Sequence, residues 1–182
     1  YWIVAFAYMA MAGTISGVSL HAIPMLTDRG WSITAAGIVV GALTLLSIPS
    51  RLLAGIYSDL LPEWMLPRLL GLVLIALSLT MFADALLQSD GSVLVLLLSK
   101  GIATGAPTVL ILMICVARFG QASVGRVQGS LMALQVPGTF CGPIVAGYVH
   151  DATGSYAAAI AIFGSFLLAA GLTLQFAIKR QR

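Results

Sequence analysis

The chain has 182 residues, of which 60% are hydrophobic and only 8% carry a charge. Soluble domains carry about 25% charged residues, and so few charges could not cover a core of this size in water. The composition therefore excludes a soluble enzyme, a nucleic-acid-binding domain and a disordered segment, so we expect no nucleic-acid partner. The net charge of +3 is interpreted below as a signal of membrane topology.

Six apolar runs along the chain are long enough to cross a lipid bilayer. About 20 apolar residues in a helix span a hydrocarbon core roughly 30 Å thick, and in lipid a helix satisfies its own backbone polar groups. The predicted spans are residues 1–26, 33–57, 66–88, 92–117, 125–149 and 155–178. The predicted fold class is therefore an all-α integral membrane bundle of six transmembrane helices. Tyr1 lies in an apolar run without a basic leader, so we expect a segment of a longer protein rather than a signal peptide.

The basic residues predict the orientation in the membrane. Six spans place both termini on one side of the membrane. The connections on the opposite side hold only one basic residue, Arg29. The side of the termini holds six basic residues: Arg68, Arg118, Arg126, Lys179, Arg180 and Arg182. Because cytoplasmic loops are enriched in Lys and Arg, we expect cytoplasmic termini in a plasma (inner) membrane.

The chain also resembles itself at an offset of 92 residues. The segment Ala54-Gly55-Ile-Tyr-Ser-Asp59 aligns with Ala146-Gly147-Tyr-Val-His-Asp151. Each half would hold three helices, so residues 1–90 and 91–182 are predicted to be repeats of opposite orientation within one bundle, 1–182. Inverted repeats are typical of transporters.

Pairs of glycines four residues apart indicate close helix packing. They are Gly13/Gly17, Gly37/Gly41, Gly101/Gly105, Gly125/Gly129 and Gly138/Gly142, all in the first, second, fourth and fifth spans. We therefore expect these four spans to pack tightly and the third and sixth to face lipid. Prolines inside spans, among them Pro49, predict kinks.

Motifs for other functions are missing from the sequence. Cys115 and Cys141 both lie in apolar stretches and form no metal-ligand spacing, so we expect no metal, no cofactor and no disulfide framework. A phosphate-binding loop for ATP-driven transport is missing, and so are the motifs of an intramembrane protease or a lipid-headgroup transferase. A six-span membrane enzyme or a scaffold remains the less favoured alternative to a transporter.

Two segments of the chain resemble motifs of a known family. Arg51-Leu-Leu-Ala-Gly55-Ile-Tyr-Ser-Asp59 is similar to the gate motif that follows the second helix of each half in the Major Facilitator Superfamily. The segment from Gly142 and Pro143 through Gly147 and Asp151 to Tyr156 is similar to the end of its eleventh helix, most like the monocarboxylate and oxalate/formate branch. The resemblance implies a C-terminal six-helix half whose partner is the N-terminal six-helix half, with Gly55, Asp59, Pro143, Gly147 and Asp151 as gate or structural residues.

Two basic residues lie deep inside predicted spans. Arg51 precedes Asp59 by eight residues, about 12 Å along a helix, and Lys100 lies about as far into the fourth span. A cation at such depth is expensive and is usually functional, and a guanidinium matches a carboxylate. In the branch that the chain resembles, the arginine at this position is implicated in binding the substrate carboxylate. Lys100 is predicted as a second anion contact, with pairing to Asp84 as the structural alternative.

Three polar residues complete the predicted substrate site. His21 in the first span could line a cavity or relay a proton, and Tyr8 and Gln135 could bind a solute by hydrogen bonds. Because cations but no carboxylate lie at mid-depth, we expect secondary transport of a small organic anion by symport or antiport. A facilitator-family carrier or efflux pump for a neutral or cationic solute is the alternative, with Arg51 then serving only as a gate strut.

Overall fold

The computed structural model describes residues 1–176 and confirms an all-helical bundle with six helical spans long and apolar enough to cross a membrane. The helices are α1 (Trp2–Thr27), α2 (Ile33–Thr44), α3 (Ser47–Leu60), α4 (Leu66–Leu87), α5 (Asp90–Phe119), α6 (Val124–Thr153) and α7 (Ala157–Phe176). Short 3₁₀ turns, Glu63–Met65 and Gln121–Ser123, precede α4 and α6. The last two residues of the predicted sixth span, 177–178, and the basic residues Lys179, Arg180 and Arg182 lie outside the described residues.

The second span is broken where a continuous helix was predicted. The helix α2 ends at Thr44 and α3 begins at Ser47. Around this break the amides of Leu46 and Ile48 donate to carbonyls three residues back. Pro49 has no N–H to donate to the carbonyl of Leu45, and its ring crowds that carbonyl. The break therefore lies about one helical turn before the proline. Arg51 follows the break in the first half of α3.

The crossing of α1 and α6 uses glycines from both helices. A methyl group at Gly13 would lie 2.9 Å from the carbonyl oxygen of Gly138, and one at Gly142 would collide with the carbonyl oxygen of Gly13. The hydroxyl of Ser16 donates to the carbonyl of Thr139 at 2.9 Å across the same crossing. The predicted role of these glycine pairs in close packing is confirmed here.

A second crossing joins α5 to the broken second span. Gly101 faces the backbone of Leu43, and Gly105 faces the backbone of Ser47 and the hydroxyl of Ser50. Side chains at either glycine would clash with backbone atoms, so the contact requires glycine. The pairing also fixes the register of α3 against α5, and this register determines the relative positions of Arg51 and Lys100.

The third and sixth spans, which were expected to be the lipid-facing outer helices, pack closely against each other and are more buried than the second and fifth spans. Gly71 of α4 lies against Gly171 of α7, where a methyl group on the first would approach the carbonyl oxygen of the second to 2.8 Å. The amide of Gln175 donates to the carbonyl of Arg68 at 2.7 Å on the same interface. The sequence pattern missed this contact because each helix contributes a glycine that belongs to no four-residue pair.

Burial is uneven among the spans. In the most apolar 18-residue stretch of each span, 11% of the second and 17% of the fifth is buried, compared with 39–44% in the other four spans. A methyl group added at any glycine of the pairs Gly37/Gly41 and Gly125/Gly129 on these two spans would meet no packing neighbour within 4 Å. We define the surface formed by α2, α3 and α6 as the open face of the bundle.

Candidate functional site

Arg51 lies on the open face, in the first half of α3 and nine residues before the end of the second span. It is exposed, and within residues 1–176 its guanidinium forms no ion pair. The neighbouring Ser50 points the other way, into the crossing with α5, and its hydroxyl donates to the carbonyl of Ser47. The helix therefore packs through Ser50 and presents Arg51 to whatever covers the open face.

Lys100 is buried inside the bundle instead. Only 5% of its surface is exposed, and no ion pair joins its ammonium to another described side chain. The structural alternative proposed for it fails, because the carboxylate of Asp84 is occupied by Arg29.

The register of α3 against α5 separates the two cations. Gly101 lies beside Leu43 and Gly105 beside Ser47, so the parallel helices pair at an offset of 58 residues and Arg51 lies level with Val109. Lys100 is nine residues away from that level, about 13 Å along the helix axis. Because Arg51 is exposed and Lys100 is buried, they form two separate positive positions rather than one pocket with two cations.

The polar residues predicted on α1 lie against α6. The side chain of Gln135 lies near the hydroxyl of the buried Tyr8, so the structure brings these two predicted residues together. His21 donates from Nδ1 to the carbonyl of Gly17 at 3.0 Å and has Gly147 beside its Nε2. His21 and Gly147 lie closer than Tyr8 and Gln135 to the end of the bundle opposite the termini.

The residues of the gate motif lie near helix ends. Asp59 is exposed one residue before the end of α3, and Gly55 has open space beside it. Asp151 is exposed at the end of α6, three residues before Gly154, whose φ of +70° ends that helix in the left-handed conformation. Pro143 lies within a continuous α6.

Sequence reasoning missed the ionic contacts at the end opposite the termini. Arg29 donates from Nη2 to both oxygens of Asp84, at 2.9 and 3.1 Å, and the hydroxyl of Ser92 donates to the same carboxylate at 2.7 Å. His150 donates from Nε2 to the carboxylate of Asp28 at 3.0 Å. The predicted topology could have indicated these contacts, because it places all five residues at one end of the bundle.

Comparison of the sequence with known proteins places the chain in a family. The sequence profile of the Major Facilitator Superfamily matches residues 2–182. The chain is 28% identical to "Monocarboxylate transporter 13" of Rattus norvegicus over 152 residues, which cover 82% of this chain and 35% of that protein. It is 27% identical to "Monocarboxylate transporter 11" of Homo sapiens over 157 residues, with 82% and 33% covered. The chain therefore spans about one third of the length of the curated relatives that it matches.

Proposed function

The chain belongs to the Major Facilitator Superfamily, and on that premise we propose that it is the C-terminal six-helix half of a secondary transporter for a small organic anion. The family and the names of the relatives indicate a transporter rather than an enzyme. The relatives named as monocarboxylate transporters support a carboxylate as the solute.

One observation carries the anion proposal: Arg51 is an exposed cation inside a membrane span, nine residues before the span ends at Leu60. A guanidinium in a dry environment needs an anionic or carbonyl partner, and within residues 1–176 its charge is not paired. A carboxylate fits the planar fork of the guanidinium with two parallel hydrogen bonds. Arg51 is therefore the proposed primary substrate contact, while Lys100 is a proposed second anion contact at a different depth.

The open face supports the proposed partner. Its two spans are the least buried of the six, and a second six-helix half would cover them and enclose Arg51 at the interface. Rocking of the two halves about that position would expose the substrate alternately to either side, by proton symport or anion exchange. In this proposal Tyr8, Gln135 and His21 supply further polar contacts along α1 and α6.

The test is solute binding and transport by the purified full-length protein in liposomes. Arg51→Ala should weaken binding of a small monocarboxylate by about one to two orders of magnitude, because a charge-assisted hydrogen bond contributes about 1.5–3 kcal/mol. Arg51→Lys should also lose most transport, since an ammonium keeps the charge but not the fork. Arg126→Ala, which removes an exposed arginine in the first turn of α6, is the matched control and should transport normally.

Two outcomes would contradict the anion proposal. Normal carboxylate binding by Arg51→Ala would reduce Arg51 to a structural residue. Binding of only neutral or cationic solutes by the wild-type protein would favour the alternative carrier or efflux pump. Lys100→Ala should weaken anion binding less than Arg51→Ala, and an unchanged affinity would remove Lys100 from the site.

A further inference from the structure

The loop between α1 and α2 holds two different helices through adjacent residues of opposite charge. Asp28 accepts the hydrogen bond of His150 at the end of α6, and Arg29 binds Asp84 near the end of α4. We define this pair of attachments as the Asp28–Arg29 clasp. The contacts span 122 and 55 residues of sequence, so the clasp ties together helices from both predicted repeats.

The two attachments differ in their response to pH. The side chain of Asp84 is fully buried, and an arginine keeps its charge throughout the physiological range. His150 and Asp28 are 29% and 49% exposed, and histidine is the side chain that ordinarily changes charge between about pH 5 and pH 8. Only the attachment to α6 can therefore be switched by protons from the surrounding water.

Two carboxylates and an aromatic ring surround the imidazole of His150. Asp28 lies at 3.0 Å from Nε2 and Asp151 at 3.8 Å from Nδ1, so two carboxylates flank the imidazole. The ring of Tyr156 stacks on it with centroids 4.2 Å apart. Burial raises the pKa of Tyr156, and the charges of Asp28 and Asp151 raise this pKa further, as expected where the local field is negative.

Among the described residues, His21 and Arg29 are the other charged or titratable groups near this cluster. His21 lies 5.3 Å from the ring of Tyr156, and Arg29 lines a recess of about 290 Å³ together with Asp28 and Tyr156. The guanidinium is already bound to Asp84, and His21 donates to the backbone. Neither replaces His150 as the partner of Asp28.

We propose that the Asp28–Arg29 clasp is a proton-responsive latch at the end of the bundle opposite the termini. A protonated His150 forms an ion pair with Asp28 and holds the loop against α6. Loss of that proton leaves a neutral hydrogen bond, so the loop separates from α6 more often while it stays fixed to α4 through Arg29. Acid therefore closes this end of the bundle and alkali loosens it.

The latch can be tested by distance measurement in the full-length protein without any transported solute. Spin labels at Thr34→Cys and Ala152→Cys, which replace exposed residues near the ends of α2 and α6 on the side opposite the termini, would report separation after Cys115 and Cys141 are replaced by serine. Between about pH 5.5 and about pH 8 the long-distance population should grow about two- to fivefold, the range for a partly exposed ion pair.

Variants assign the response to its residues. His150→Gln and Asp28→Asn should each abolish the pH dependence, whereas Asp90→Asn and His21→Gln should keep it. A wild-type distance that ignores pH would overturn the proposal, and so would a response that survives both His150→Gln and Asp28→Asn. If His150→Gln folds poorly, Asp28→Asn decides alone. Because no solute is present, the result stands apart from the anion proposal.

Discussion

The carboxylate of Asp84 shows what a single residue contributes to this bundle. Its side chain has no exposed surface, and it receives hydrogen bonds from Arg29 and Ser92. Burial of an unpaired charge is expensive, whereas a paired and fully hydrogen-bonded one is tolerated. The ion pair therefore stabilises the loop between α1 and α2 as long as both partners are present.

We expect Asp84→Asn to be among the most destabilising single substitutions at this end of the bundle. It leaves the guanidinium of Arg29 without its counter-charge, and removal of one partner from a buried pair costs about 3–5 kcal/mol. The free energy of unfolding of the full-length protein in mixed micelles measures this loss. Asp90→Asn, an exposed acid at the same end, is the control and should unfold like the wild type.

A double variant separates the charge effect from a packing effect. Arg29→Met combined with Asp84→Leu removes both charges and keeps apolar volume, so it should recover much of the stability lost by Asp84→Asn. Equal stability of Asp84→Asn and the wild type would show that the ion pair contributes nothing. A double variant no better than Asp84→Asn would place the loss in packing.

At this scale the sequence predicts candidate residues better than it predicts their partners. Arg51 stands out because a charge inside an apolar run is improbable by chance. The sequence suggested Lys100 as a possible partner of Asp84, whereas the structure pairs Asp84 with Arg29, because partners far apart in sequence meet only through helix register. Asp28 and His150, at the predicted end of the bundle, carry no local signal that they touch.

At the scale of the elements, helix existence follows from the sequence and helix continuity does not. Apolar length alone places the first five spans, and the start of the sixth, within a few residues of their observed ends. Proline interrupts only the second span, although Pro107 and Pro143 also lie inside long helices. Whether the freed carbonyl one turn earlier remains helical depends on neighbouring helices, which local sequence does not contain.

The α1–α6 crossing yields a prediction for helix packing. Gly142→Ala places a methyl group against the carbonyl oxygen of Gly13, so the two backbones must separate. Overpacking of this kind costs about 1–3 kcal/mol, and the melting temperature of the purified protein in detergent should fall accordingly. Gly91→Ala is the matched control, because a methyl group there would lie 3.9 Å from its nearest neighbour, the hydroxyl of Ser89. Equal melting temperatures for the two variants would mean that α1 and α6 are not closely packed at this crossing.

At the scale of the whole molecule, the two crossings support the proposed inverted repeats. Gly13 contacts Gly142. The repeat offset of 92 residues makes Gly105 the equivalent of Gly13 and Ser50 the equivalent of Gly142, and Gly105 contacts Ser50. The contact of Met9 with Gly138 likewise becomes that of Gly101 with Leu46. Two equivalent contacts at one offset are what a two-fold axis in the membrane plane would produce. We therefore retain residues 1–90 and 91–182 as the proposed repeats.

The orientation of the bundle decides which compartment reaches the Asp28–Arg29 clasp. Asp90 and Gln121 are exposed at opposite ends of α5, so they lie on opposite sides of the membrane if α5 spans it. The basic residues are concentrated on the side of Gln121, and such residues are retained in the cytoplasm during insertion. The clasp, on the side of Asp90, would then face the exterior and sense external pH.

Cysteine labelling in intact cells tests this topology. In the full-length protein with Cys115 and Cys141 replaced by serine, an impermeant maleimide should modify Asp90→Cys and leave Gln121→Cys unmodified. Permeabilised cells should label both positions, which controls for local access. Modification of position 121 alone in intact cells would invert the bundle, and the clasp would then sense cytoplasmic pH. Because the positive-inside bias counts residues on one side of several spans, no single substitution on the basic side should reverse the pattern, so Arg126→Ala should label like the parent protein.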